Sequence, residues 1–205
     1  MGRDGSKGGE LMATANLFIR FVVPGVAQPR GSKTIGRNKA GQTWIRDDNP
    51  DSAKWMKVVA TAAKQCMRAA NKTPSAKPLV LFVTIYRHRP ACDFGTGRNA
   101  DLLKPGARQY PTTIPDLTKC IRGIEDAMNE VVWMDDSQVV EQRTKKRYVE
   151  SETWEAWAAS EIKAGRVPCA RPKDWGKPRV EVAVYELPVS VAERRPVTQR
   201  QGVLV

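Results

Sequence analysis

The chain has 205 residues, 34 Lys and Arg against 22 Asp and Glu, a formal net charge of +12 and 41% hydrophobic residues. That length suffices for one domain with a core, and the apolar content argues against wholesale disorder, so the charge excess speaks to partners: a polyanion, nucleic acid first. No apolar run nears the roughly 18 to 20 residues that span a bilayer.

Other classes are disfavoured as well. The polar run Met1–Glu10 has no signal-peptide pattern, which implies a cytoplasmic protein without a membrane partner. Cys66, Cys92, Cys120 and Cys169 form no C-x-x-C pair and read as reduced thiols. The single histidine, His88, argues against zinc fingers and against a Ser–His or Cys–His nucleophile. Nothing calls for a small-molecule cofactor.

Residues 1–14, Gly-rich and polar, read as a disordered leader. Asn16–Pro24 (NLFIRFVVP) is β-branched and aromatic and predicts a strand. Gly25–Arg46 reads as a loop with Arg30, Lys33, Arg37, Lys39 and Arg46 and no acid until Asp47. It is either a solvated loop or an arm tracking a phosphate backbone, and the missing acids favour the arm. Asp48–Ser52 is a helix-start signal, and Ala53–Ala70 predicts a helix with one apolar stripe through Trp55, Val58, Val59, Ala62, Ala63, Cys66 and Ala70. Pro78–Tyr86 (PLVLFVTIY) predicts a strand buried on both faces, and Ala91–Thr113 a long irregular loop. Pro115–Glu130 predicts a second helix with Leu117, Cys120, Ile121, Ile124 and Met128 on one face. Asp135-Asp136 is a turn, and Val139–Val149 a basic strand whose run Arg143–Arg147, including Lys145 and Lys146, is a surface face or a phosphate contact. Glu152–Ala164 predicts a short helix and Arg179–Leu187 (RVEVAVYEL) an alternating, half-buried strand. The expected architecture is one mixed α/β (α+β) domain of order β-α-β-α-β-α-β over residues 15–188, with a loose tail at 189–205.

Asp116–Glu141 carries the chemistry. Asp116 falls in the first helical turn, where a carboxylate satisfies free amides and the helix dipole. Asp135 and Asp136 follow the same helix, with Glu125, Asp126 and Glu141 nearby in sequence. Carboxylates on fixed elements suit Mg²⁺, and Lys119 and Arg122 lie on the same helix. The plainer reading is a helix cap, a turn and surface charges, with Asp126 the i+4 partner of Arg122.

The segments Pro115-Asp116-Leu117-Thr118-Lys119, Arg122, Asp126-Ala127 and Trp133-Met134-Asp135-Asp136-Ser137-Gln138-Val139-Val140 resemble the RusA family of Holliday junction resolvases, whose pattern runs P-D-x-D-N-L-x-K, D-A-L, then W/Y-x-D-D-x-Q-V-V. The resemblance implies a homodimeric, Mg²⁺-dependent endonuclease, with Mn²⁺ able to substitute, that nicks two strands of a four-way DNA junction symmetrically. It implies catalytic, metal-holding acids at Asp116 and Asp136, with Asp135 beside them, and places the family's lysine on Arg122. Thr118 stands where the family has its second aspartate, and Lys119 where it has asparagine. Alternatives are a non-catalytic, structure-selective DNA-binding protein on the same scaffold, or a nuclease for other branched DNA. Arg30, Lys33, Arg37, Lys39, Arg46, Lys119, Arg143, Lys145, Lys146 and Arg147 are the expected DNA contacts.

Overall fold

The apolar run Leu79–Arg87 (β4) forms the middle of the fold, buried on both faces as its sequence requires. It pairs with Arg179–Glu186 (β6) on one side and Val139–Tyr148 (β5) on the other, and β6 pairs in turn with Asn16–Pro24 (β1), giving the order β1-β6-β4-β5. β4 and β5 run parallel; the other pairings are antiparallel. This computed structural model describes residues 14–31, 33–47, 49–100, 102–149 and 176–189 with 159, 162 and 163, the side chains of 33 and 45–47 excepted. The expected leader 1–14 (bar Thr14), most of the expected helix Glu152–Ala164 and nearly all of the tail 189–205 lie outside the described residues.

Alternation decides which face meets the helices. Ile19, Phe21 and Val23 of β1, Leu81, Val83 and Ile85 of β4, and Val180, Val182 and Val184 of β6 belong to one core with the helices α1 (Pro50–Ala69) and α2 (Leu117–Met128). α1 starts at Asn49, whose side chain accepts from the Asp51 amide at 3.1 Å, with Pro50 at the first position. Its buried stripe is Trp55, Val59, Ala63 and Met67, one residue per turn. Val58, expected in that stripe, is 44% exposed. On α2 the buried positions are Cys120, Ile121, Gly123, Ile124, Ala127 and Met128. Asp116 occupies the cap position of α2, yet its side chain makes no cap hydrogen bond, contrary to the expectation that it satisfies the free amides.

The region expected to be a loop, Gly25–Arg46, contains a hairpin, Lys33–Arg37 (β2) against Thr43–Asp47 (β3). Asn38 makes its turn: the side-chain oxygen accepts from the amides of Ala40 at 3.1 Å and Gln42 at 2.9 Å, and Gly41 takes φ +77. Gly36 faces Trp44 across the strands, and a Cβ there would stand 2.2 Å from the indole. The described order is therefore β-β-β-α-β-α-β-β, and Ala91–Thr113 is irregular apart from the short 3₁₀ turns Ala91–Asp93 and Gly97–Asn99.

Parallel strands cannot be joined by a tight turn, so β4 and β5 need a crossover, and α2 supplies it. α2 thus runs opposite to both strands. Ile124, wholly buried, anchors it to the core. Ile124→Ala should cost about 2–5 kcal/mol in urea denaturation, whereas Val140→Ala on the exposed face of β5 should change stability by less than about 0.5 kcal/mol.

Candidate active site and nucleic-acid interface

The start of α2 meets the C-terminal ends of β4 and β5. Arg87, the last residue of β4, donates through Nη1 to the carbonyls of Thr113 at 3.3 Å and Ile114 at 2.7 Å. Lys146 of β5 donates through Nζ to Thr113 at 2.9 Å and Pro115 at 3.1 Å. The next residue is Asp116, exposed at the rim of a groove of about 520 Å³ lined also by Arg87, Lys119, Asn49, Ile114 and the segment Val26–Pro29. Ile114, 82% exposed, projects beside the acid. Burial, then the neighbouring Arg87, pushes the Lys146 ammonium down. Burial pushes the Cys120 thiol up to about 11, which makes it an inert core group.

The far end of α2 leads to the other acids. The indole N–H of the buried Trp133 donates to Asp136 Oδ1 at 2.9 Å and orients that carboxylate. Asp135 caps the 3₁₀ turn Asp136–Gln138, accepting from the Ser137 amide at 2.8 Å; the Ser137 hydroxyl and amide hold its carboxyl below the usual range. Gln138 accepts from the amides of Met134 and Asp135 at 2.9 Å each and donates to the carbonyls of Ser75 at 2.9 Å and Lys77 at 3.0 Å. The D-D-S-Q segment is thus a capped turn pinned just before β4. Beside it, Glu125 accepts from Gln142 of β5. Burial first, then the charges of Asp136 and Asp126, push the Glu125 carboxyl up.

Asp116 takes the cap position at the start of the 12-residue helix, which is about 18 Å long, and Asp136 follows eight residues after its last residue, so the two acids belong to opposite ends of it. Among the described residues of one chain, no three or more His, Cys, Asp or Glu side chains gather closely enough to hold a metal ion. Thr118, Lys119 and Arg122 are exposed on α2 between the two ends.

The expected DNA-binding residues fall into several settings. Arg30 pairs with Asp126 at 3.2 Å and with the Met56 sulfur at 2.8 Å, so Asp126 answers Arg30 and not the expected Arg122. Arg37 and Lys39 are exposed on the hairpin; Lys33 and Arg46 lie on β2 and β3, with their side chains outside the description. Lys119 lines the groove. The run Arg143–Arg147 is divided by strand alternation: Lys146 faces α2, while Arg143, Lys145 and Arg147 face away from it. Arg143 pairs with Glu141 at 2.6 Å and lies over the Phe82 ring, and Arg147 lies over Tyr110. Arg87 was not among the expected residues. Its signal was a cation closing an apolar strand, one residue before His88.

The chain matches the family described as Endodeoxyribonuclease RusA over residues 23–155. It is 35% identical over 135 residues, 64% of this chain and 89% of the relative, to a Bacillus subtilis (strain 168) protein named Uncharacterized protein YqaN. No described helix is long and apolar enough to cross a membrane.

Glu125 should titrate above an ordinary glutamate in an NMR pH titration. Asp136→Asn removes a neighbouring negative charge and should bring that titration down, only part of the way because burial remains.

Proposed function

This chain belongs to the RusA endodeoxyribonuclease family, and from that premise we propose that it is a metal-dependent endonuclease that cuts four-way DNA junctions as a homodimer, by paired nicks. The observation that carries the reading is the pair of carboxylates at the ends of α2: Asp116, uncommitted to its helix cap, and Asp136, aimed by Trp133.

The donor set suits Mg²⁺, or Mn²⁺ in its place, because hard cations take carboxylate oxygens. Asp116 and Asp136 would hold the ion with Asp135 assisting, and the ion when bound supplies an acidified water and charge neutralisation at the phosphate. Thr118 offers only a neutral hydroxyl where the family pattern has an acid. Because Asp116 and Asp136 belong to opposite ends of a helix about 18 Å long, each site would draw Asp116 from one subunit and Asp136 from its partner. A two-fold dimer then carries two matched sites, one for each strand of a two-fold junction.

The remaining residues serve the phosphates. Lys119 and Arg122 are exposed on the turns of α2 after Asp116, where a cation offsets the charge that develops on the attacked phosphate. Arg122 keeps its proton near neutral pH, so it contributes charge and donors rather than acid–base exchange. Arg37 and Lys39 on the hairpin, with Lys145 and Arg147 on the outer side of β5, bind the junction arms by phosphate neutralisation, and binding weakens as salt rises. Cytoplasmic residence accords with this substrate.

Asp116→Asn and Asp136→Asn should each abolish Mg²⁺-dependent cleavage of a synthetic four-way junction and leave metal-free junction binding intact. Cleavage at the wild-type rate by both variants would sink the assignment. Mixing the two inactive variants tests the shared site, because a mixed dimer retains one Asp116–Asp136 pair across its interface. Unpaired nicking should return on mixing. No return from a mixture shown to exchange subunits would place each site within one chain.

A further inference from the structure

We propose that Arg87 and Lys146 are positioning residues for Asp116: from adjacent parallel strands they grip the three backbone carbonyls that precede it and so fix where its carboxylate stands. The inference rests on the reading of Asp116 as a metal ligand. Asp116 makes no side-chain cap hydrogen bond, so its placement depends on the backbone leading into it. That backbone, Thr113 to Pro115, belongs to no helix or strand, and the two side chains make four hydrogen bonds to its carbonyls. Both side chains rise from the helix-facing side of the sheet, one strand apart, with Lys146 beside Ile85 and Arg87 two residues further along β4.

Two cations held side by side repel each other, and here the Thr113 carbonyl accepts from both. Lys146 spends two of its donors on carbonyls, which sets it apart from Lys145, exposed on the opposite side of the strand. A ligand whose supporting hydrogen bonds are lost typically binds its ion roughly 10- to 100-fold more weakly.

The test uses the full-length chain with Mn²⁺ as the probe, its binding followed by electron paramagnetic resonance without DNA. Lys146→Met and Arg87→Met should each weaken Mn²⁺ binding roughly 10- to 100-fold, with cooperative melting and metal-free junction binding retained, and Lys146→Arg should recover most of the loss. Unchanged Mn²⁺ affinity in both Met variants overturns the proposal. So does a loss of metal-free junction binding with a shallower salt dependence and unaltered Mn²⁺ affinity, since that marks direct phosphate contacts. If either Met variant fails to fold, Arg87→Lys decides: lowered Mn²⁺ affinity supports the grip and wild-type affinity overturns it. Asp116→Asn separates the two levels of argument. Wild-type Mn²⁺ affinity in Asp116→Asn overturns the functional reading and the proposal with it, whereas a loss there without a loss in the Arg87 and Lys146 variants overturns the proposal alone.

Discussion

The parallel pairing of β4 with β5 governs the rest of the molecule. Two strands running the same way must be joined by a crossover, and the crossover here contains α2 and both acidic segments. The direction of α2 follows from it, and so does the placement of Asp116 at the C-terminal ends of the strands and of Asp136 at their beginnings. Each end is then fixed by separate means. Arg87 and Lys146 hold the approach to Asp116, while Gln138 and Trp133 hold the turn that carries Asp136.

This arrangement gives the charge excess a finer meaning. Within the expected DNA-binding set Arg30 answers Asp126, Arg143 pairs with Glu141, and Lys146 holds backbone carbonyls. Those that project outward, Arg37, Lys39, Lys119 and Lys145, are spread over the hairpin, α2 and β5, an edge strand among the described residues. Such a spread suits a partner that wraps around several elements better than one gripped at a single patch.

Strands and helices were legible wherever periodicity is a local property. The alternation of Arg179–Glu186, the apolar run of β4 and the three-and-four spacing on α2 each report burial directly. The β2–β3 hairpin was not, because its glycines and cations look like a loop. It is secured by the Asn38 turn and by Trp44 lying across Gly36, contacts between residues that no single window joins. Asp126 misled for a similar reason: the i+4 rule pointed to Arg122, and a tertiary partner, Arg30, prevailed. The candidate site was legible only in part. Motif order singled out Asp116 and Asp136 as candidates, but spacing along a sequence is not distance. Treating the predicted helix as a rigid rod at 1.5 Å per residue separates them, and the same reasoning at period two divides Arg143–Arg147 between two faces.

Trp133 links two quantities that most proteins keep apart. Its ring is wholly buried in the core, and its one polar atom is the donor that aims Asp136. The hydrophobic interior therefore reaches to within one hydrogen bond of a proposed metal ligand, and any repacking that shifts this indole also turns the carboxylate. Met128 and Val132 of the same core thereby bear on the angle of an acid as well as on volume. Around this indole a more stable core is an improvement only if it leaves the ring where it is.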